Sequence, residues 1–236
     1  MTVHLLGRRQ GLALGGGFLP TSLPNLELWL AARFIPGLAA TDIISTWPDR
    51  SGKGRDAVAA AGVEPTFQVN IRGGKPAARF DGVDNVMTLS TALALPSQLT
   101  VAIAYANRTG TNGTLWSTGI GIGTAPIQRD TAYWVNAGEV NIAGPAAGLN
   151  AYNLGVWVFD YDTDIYNFYR HGVVDGTLSA ARTNPGGNFL IGARNGTSEY
   201  LNGDILEMVV YSSALSTGAR HRIERYLARQ YALATA

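Results

Sequence analysis

The chain has no cysteine. That single absence removes disulfide scaffolds, zinc sites built on thiolates and thiol nucleophiles together, so the fold must stand on packing. Charge is scarce as well: only 15% of the 236 residues are charged, and the formal net charge is +1. Such a balance offers no bulk attraction to nucleic acid or to an anionic membrane, and neither is expected as a partner. Lysine occurs only at Lys53 and Lys75. Nearly all the positive charge is therefore arginine, whose planar fork suits fixed bidentate pairing better than an ammonium does. No apolar run reaches membrane-spanning length. The N-terminus, MTVHLLGRRQGLALGGGFLP, sets its arginines after the first apolar residues and has no long apolar core, so it does not read as a signal peptide. The expectation is assembly in a cytoplasm.

What is present is apolar. Hydrophobic residues make up 46% of the chain, enough to bury a large core, and no break in composition divides the middle into two domains. Residues 1 to 22 differ from the rest. Arg8 and Arg9 are followed by Leu12, Leu14, the glycines 15 to 17 and Phe18, a pattern of an extended arm whose glycine triplet resists order by itself. Arg8, Arg9, Leu12, Leu14 and Phe18 are the residues expected to anchor such an arm in a partner's groove.

From Leu26 onward short apolar runs recur between turn signals: LELWLA, AARF, VMTLS, LTVAIAYA, TLWST, AYWV, GVWVFDYD, IYNFYR, FLIGA and DILEMVVY, separated by stretches such as DRSGKG, NIRGGKP, DGVDN, RHG and NPGGN. These lengths and spacings predict strands, and the lack of alternating helices argues against a parallel sheet. In LTVAIAYA the face of Thr100, Ala102, Ala104 and Ala106 is made of small residues, which lets another layer approach closely. Only the C-terminus reads as helical. Ser216 can cap a helix to about residue 233, with Ala219, Ile223, Tyr226, Leu227 and Tyr231 on one stripe and Arg222, Arg225 and Arg229 on another. That second row reads as a solvated face or as a docking patch for an acidic partner.

Several patterns could carry chemistry. Asp204 and Glu207 stand in an apolar strand, and glycosidases work with two carboxylates. Strand alternation sends residues three apart to opposite faces, putting Ile205, Glu207, Val209 and Tyr211 on one side and Asp204, Leu206, Met208 and Val210 on the other. A catalytic pair is not expected. An at least partly buried Glu207 instead requires an arginine or backbone-amide partner, with Arg79 and Arg194 the first candidates. Asp160, Asp162 and Asp164 resemble the start of a calcium loop, but Ile165 and His171 stand where glycine and a bidentate glutamate would be needed, so a hairpin turn is the better account. His4, His171 and His221 are scattered, which argues against a metal triad, and GIGIG at 119 to 123 lacks the lysine and following helix of a phosphate loop. Trp116, Tyr133 and Trp134 are the candidates for a glycan platform; Trp29, Trp47 and Trp157 are assigned to the core. No catalytic residue, metal ligand or cofactor is assigned.

LPNLELWLAARF, WPDRSGKGRDA, PTFQVNIRGGKPAARFDGVDNVMTL and the closing NFLIGARNGTSEYLNGDILEMVVYSSALSTGARHRIERYLARQY resemble the laminin-G-like branch of the concanavalin A-like lectin/glucanase superfamily, of the type found in bacteriophage virion proteins and bacterial surface proteins. The resemblance spans both ends of residues 23 to 236 and is weak over 107 to 154. It implies an all-β jelly-roll sandwich of two antiparallel sheets, with the N-terminal arm and one C-terminal helix. It further implies a non-enzymatic virion structural protein, a head decoration, neck, tail or fibre component, localised to the particle. Its partners there would be capsid or tail proteins, in an oligomeric setting. The alternative is a lectin-like module for host or cell-surface glycans. Some family members bind calcium, the one cofactor the resemblance leaves open, and a polysaccharide-cleaving enzyme is the third reading.

Overall fold

The computed structural model describes residues 17–94, 96–109, 113–118, 125–129, 132–136, 141–145, 148–179, 188–194 and 196–236. Its spine is the strand Asn202–Tyr211. On one side this strand pairs with Gln98–Asn107; on the other it pairs first with Lys75–Asp81 and then, from Glu207 onward, with Leu26–Ala31. The sheet extends through Thr66–Arg72 at one end and through Tyr152–Asp160, Ile165–Arg170 and Val173–Ser179 at the other, eight strands in all. A five-stranded sheet, running Thr46–Trp47, Ala57–Val58, Met87–Leu89, Phe189–Ile191 and Trp116–Thr118, faces it. A four-stranded sheet, Asn141–Pro145, Ala132–Asn136, Ala125–Arg129 and Gly113–Thr114, continues that layer and brings Asn141–Pro145 beside Val173–Ser179. Every pairing between strands among the described residues is antiparallel. The all-β sandwich expected from the spacing of apolar runs is therefore the fold observed.

Between the layers lies a core rich in rings. Trp157, Phe159 and Phe168 from the large sheet meet Trp116 and Phe189 from the other layer, with Trp116 stacked on Phe189 at 5.3 Å and Trp157 on Phe168 at 5.1 Å. The outer face of the large sheet carries a second core. There the small side chains of Ala102 and Ala104, with Leu154, Val156 and Val209, receive Ile223, Tyr226, Leu227 and Tyr231 of the helix Thr217–Tyr231. The alanines of LTVAIAYA make room for that helix, as their size predicted. Ser216 caps it by accepting a hydrogen bond from the Ala219 amide, and Ala232 ends it in the left-handed conformation.

Turns fall where their residues demand. Gly73 and Gly74 both have positive φ in the two-residue hairpin between Arg72 and Lys75, and His171 and Gly172 do the same between Arg170 and Val173; positive φ at both central positions matches the twist of the flanking strands. In DYDTD, Asp160 Oδ1 accepts from the amides of Asp162 and Thr163, so this acid caps a hairpin turn.

Candidate functional site

The long strand departs from simple alternation at one residue. Opposite Gln98–Asn107, Ile205 pairs with Tyr105 and Glu207 with Ala104. Leu206 is thus an extra residue, a β-bulge, placed where Lys75–Asp81 gives way to Leu26–Ala31 as the neighbour. Beyond it the faces are offset. Ile205, Met208 and Val210 fill the sandwich core, while Leu206, Val209 and Tyr211 face the helix. Asp204 and Glu207 consequently share the helix side of the sheet, which corrects the expectation that they point in opposite directions.

Sharing a face does not make them a pair, because each is held by its own arginine. Arg79 donates from Nε to Asp204 Oδ1 at 2.6 Å and from a terminal nitrogen to Oδ2 at 2.9 Å, and the Tyr152 hydroxyl adds a bond to Oδ2 at 2.9 Å. Glu207 is fully buried. It accepts from Trp29 Nε1 at 2.6 Å, from the Tyr226 hydroxyl at 2.8 Å, from the Tyr231 hydroxyl at 2.7 Å and from both terminal nitrogens of Arg33. Arg33 also contacts both tyrosine hydroxyls and lies 4.4 Å over the Phe34 ring. The required partner exists, but it is Arg33. Of the two expected candidates, Arg79 serves Asp204 and Arg194 faces Glu199. Burial and the adjacent carboxylate raise the phenol pKa of both Tyr226 and Tyr231, so they remain hydroxyl donors at neutral pH. A carboxylate with this many donors has no free lone pair for acid or base work. Its role is to fasten the helix to the sheet.

The other candidate residues are dispersed. Trp116 is buried against Phe189, Trp157 and Phe159, which removes it from any surface platform. Tyr133 and Trp134 sit in one of the two inner strands of the four-stranded sheet, in register with Gln128 and Ile127 on one side and with Gly144 and Ala143 on the other. Phe18 packs edge-on against Tyr226 at 6.0 Å, and Pro20 accepts a hydrogen bond from the Tyr211 hydroxyl. Arg8, Arg9, Leu12 and Leu14, His4 and the GIGIG segment lie outside the described residues. Among the described residues, no group of three His, Asp or Glu is arranged to hold a metal ion.

Two surface clefts stand out, the first on residues that no sequence motif announced and the second on the arginine row of the C-terminal helix. At the end of the sandwich an open polar cleft is lined by Thr66, Arg79, Asp81, Arg108 and Asn202. The Asp81 side chain stabilises its own turn by accepting from the Val83 amide, and the Asn202 amide donates to the Asp81 carbonyl; Arg108 projects into solvent. Across the helix, Phe18, Arg222, Arg225, Tyr226 and Arg229 line a second cleft.

No protein-family model matches the sequence, and no curated protein matches it. Solved structures do share its fold. The binding domain of botulinum neurotoxin serotype G superposes with a TM-score of 0.62 at 12% identity, over 85% of this chain and 51% of that one. A Trypanosoma rangeli sialidase, bound to a difluoro-KDN ligand, gives 0.60 at 13% identity over 87% of this chain and 33% of that one. The botulinum neurotoxin DC binding domain in complex with SialylT gives 0.60 at 12%, over 86% and 51%. The chain thus spans about half the length of the toxin domains and a third of the sialidase. At such identities the likeness is one of fold.

Proposed function

We propose that this domain is a non-enzymatic, lectin-like recognition module for a carbohydrate. The observation that carries the reading is the open polar cleft. A sugar hydroxyl both donates and accepts, and Thr66, Arg108, Asn202 and Asp81 gather both kinds of group at one mouth of the sandwich. The shared architecture lends support, since two of its counterparts are toxin binding domains and one of these was solved in complex with SialylT. Enzymatic cleavage is the weaker reading because Asp204 and Glu207 are each engaged by an arginine and by tyrosine hydroxyls. Tyr133 and Trp134 remain proposed stacking residues, now without Trp116.

A glycan array probed with the wild type, Arg108→Ala and Trp134→Ala tests this. The expected result is a defined set of bound glycans, with Arg108→Ala weakening the signal about tenfold, the scale of one lost charge-assisted hydrogen bond. No bound glycan, or equal binding by both variants, would overturn the assignment.

Display on a phage-like particle through the N-terminal arm is a second proposal, drawn from the sequence resemblance. One observation shapes its test. Phe18 and Pro20 contact the domain itself, so removal of residues 1 to 16 leaves every described contact in place. Loss of particle association by that truncation, with unchanged melting temperature, is the expected result; retained association would sink the anchor.

A further inference from the structure

Arginine has several uses in this protein. Arg33, Arg55, Arg79, Arg170, Arg194 and Arg220 each meet a carboxylate within the fold. Arg222, Arg225 and Arg229 do not. All three are exposed on the outer face of the C-terminal helix, and none has a carboxylate within salt-bridge distance among the described residues. Their positions, three and then four residues apart, set them in one row about 10 Å long. Like charges at these spacings repel and weaken a helix; only Arg229, in the last turn, gains from the helix dipole, so the stability of the helix does not explain Arg222 and Arg225.

The row also has a floor. Arg222 lies 4.7 Å over the ring of Phe18, Phe18 stands edge-on to Tyr226, and these groups line one cleft with Arg225 and Arg229. We infer that this cleft is a docking site for an acidic polypeptide segment of a partner protein. The carboxylates would engage the three guanidinium forks and one apolar side chain would rest on the Phe18–Tyr226 notch. Charge complementarity selects the occupant. Residues 1 to 16, which lead into the cleft's edge at Gly17, carry Arg8 and Arg9 and no acid, so this segment is not the complement. Nucleic acid is disfavoured because the chain's net charge of +1 supplies none of the extended basic surface that phosphate backbones require. Guanidinium forks match carboxylates in geometry and keep their charge at every working pH.

The site is distinct from the polar cleft, and a single experiment separates the two. A fluorescein-labelled peptide of repeated Glu-Glu-Leu is titrated with the full chain at low and moderate salt, with heparin and single-stranded DNA as alternative polyanions. Binding that weakens with salt is expected. The triple variant Arg222→Gln/Arg225→Gln/Arg229→Gln should bind about tenfold more weakly or worse, at three modest exposed ion pairs, and the corresponding lysine triple should recover part of the loss. Arg108→Ala should bind the peptide as the wild type does. If the glutamine triple melts early, Arg225→Gln and Arg229→Gln alone carry the test, each expected to cost about two- to threefold. Failure of the wild type to bind the peptide, equal binding by the glutamine variants, or capture of heparin or DNA in preference to the peptide would overturn the inference.

Discussion

Arg33 and Glu207, 174 positions apart in the chain, form a forked ion pair beneath the C-terminal helix. Arg33 belongs to the short 3-10 turn Ala32–Phe34 that follows the first strand, Glu207 to the last strand, and the two tyrosines that share them to the helix. The pair therefore joins the beginning and the end of the domain to the element that covers its outer face. With Trp29 as a further donor, every group in the cluster has a partner, the condition under which a buried ion pair does not penalise a fold.

Removing one member leaves the other buried without its counter-charge. Glu207→Ala and Arg33→Ala are each expected to cost about 3–5 kcal/mol, read as a lower urea midpoint with an unchanged slope. Replacing both with apolar residues of similar size, Arg33→Met with Glu207→Leu, should cost less than the two single changes together. Strict additivity would show that the groups do not act as a unit.

How much of this was legible beforehand depends on which force decides each element. All ten apolar runs became strands or parts of strands, because a short apolar run bounded by turn residues marks a buried strand whether one face is covered or, as in Gln98–Asn107 and Asn202–Tyr211, both. The segments Thr46–Trp47, Ala57–Val58, Thr66–Arg72 and Val173–Ser179 were not among those runs. Two of them are only two residues long, and the other two are edge strands whose exposed Asn70, Arg72, Val173 and Val174 follow no buried alternation. That Glu207 needs a partner followed from its apolar surroundings; which arginine answers depends on a turn packing against a strand far along the chain, and no local pattern encodes that. A bulge is likewise silent, since Leu206 is apolar like Ile205 before it, and nothing in the run marks which of the two is the extra residue. Trp116 was misplaced because a tryptophan beside loop residues looks the same whether it faces a ligand or a stack of rings. The polar cleft draws on residues from four separate segments, and nothing in any one of them marks it.

The tyrosines around Glu207 make a prediction at high pH. Burial first, and the nearby carboxylate second, raise the phenols of Tyr211, Tyr226 and Tyr231 above their ordinary value. An acid whose pKa is raised in the folded state contributes stability below its unfolded value, about 10 for tyrosine, and that contribution is lost as pH climbs through the folded value. Stability should fall above about pH 10, and part of the phenolate absorbance near 295 nm should appear only together with loss of far-UV circular dichroism. Complete tyrosine ionisation with the fold intact would contradict the arrangement.

Glu224 gives the corresponding prediction in acid. It is buried beside Arg220, whose guanidinium lies 3.7 Å over the Tyr169 ring, and its Oε2 has no hydrogen-bond partner among the described residues. Burial raises its carboxyl pKa in spite of the opposing pull of Arg220. The sign is again that of a raised acid: the contribution is complete below the unfolded value of about 4.3 and is lost as pH rises through the folded one. Relative to Glu224→Gln, the wild type should gain melting temperature between pH 7 and about pH 4. A difference between the two proteins that stays flat or moves the other way would refute it.

The bulge itself can be tested by deletion. In an ordinary strand, losing one residue sends every later side chain to the wrong face. At Leu206 the opposite is expected. Ile205 already pairs with Tyr105 and Glu207 with the adjacent Ala104, so deleting Leu206 yields a regular strand in which Glu207, Val209 and Tyr211 still face the helix and Met208 and Val210 still face the sandwich core. The cost is one fully buried leucine, about 2–5 kcal/mol. Deleting Met208 instead shifts Val209, Val210 and Tyr211 out of phase with both cores and should prevent folding. Near-UV circular dichroism and urea unfolding of the two deletions distinguish the cases, and a folded Met208 deletion or an unfolded Leu206 deletion would show that the bulge does not set the faces of this strand.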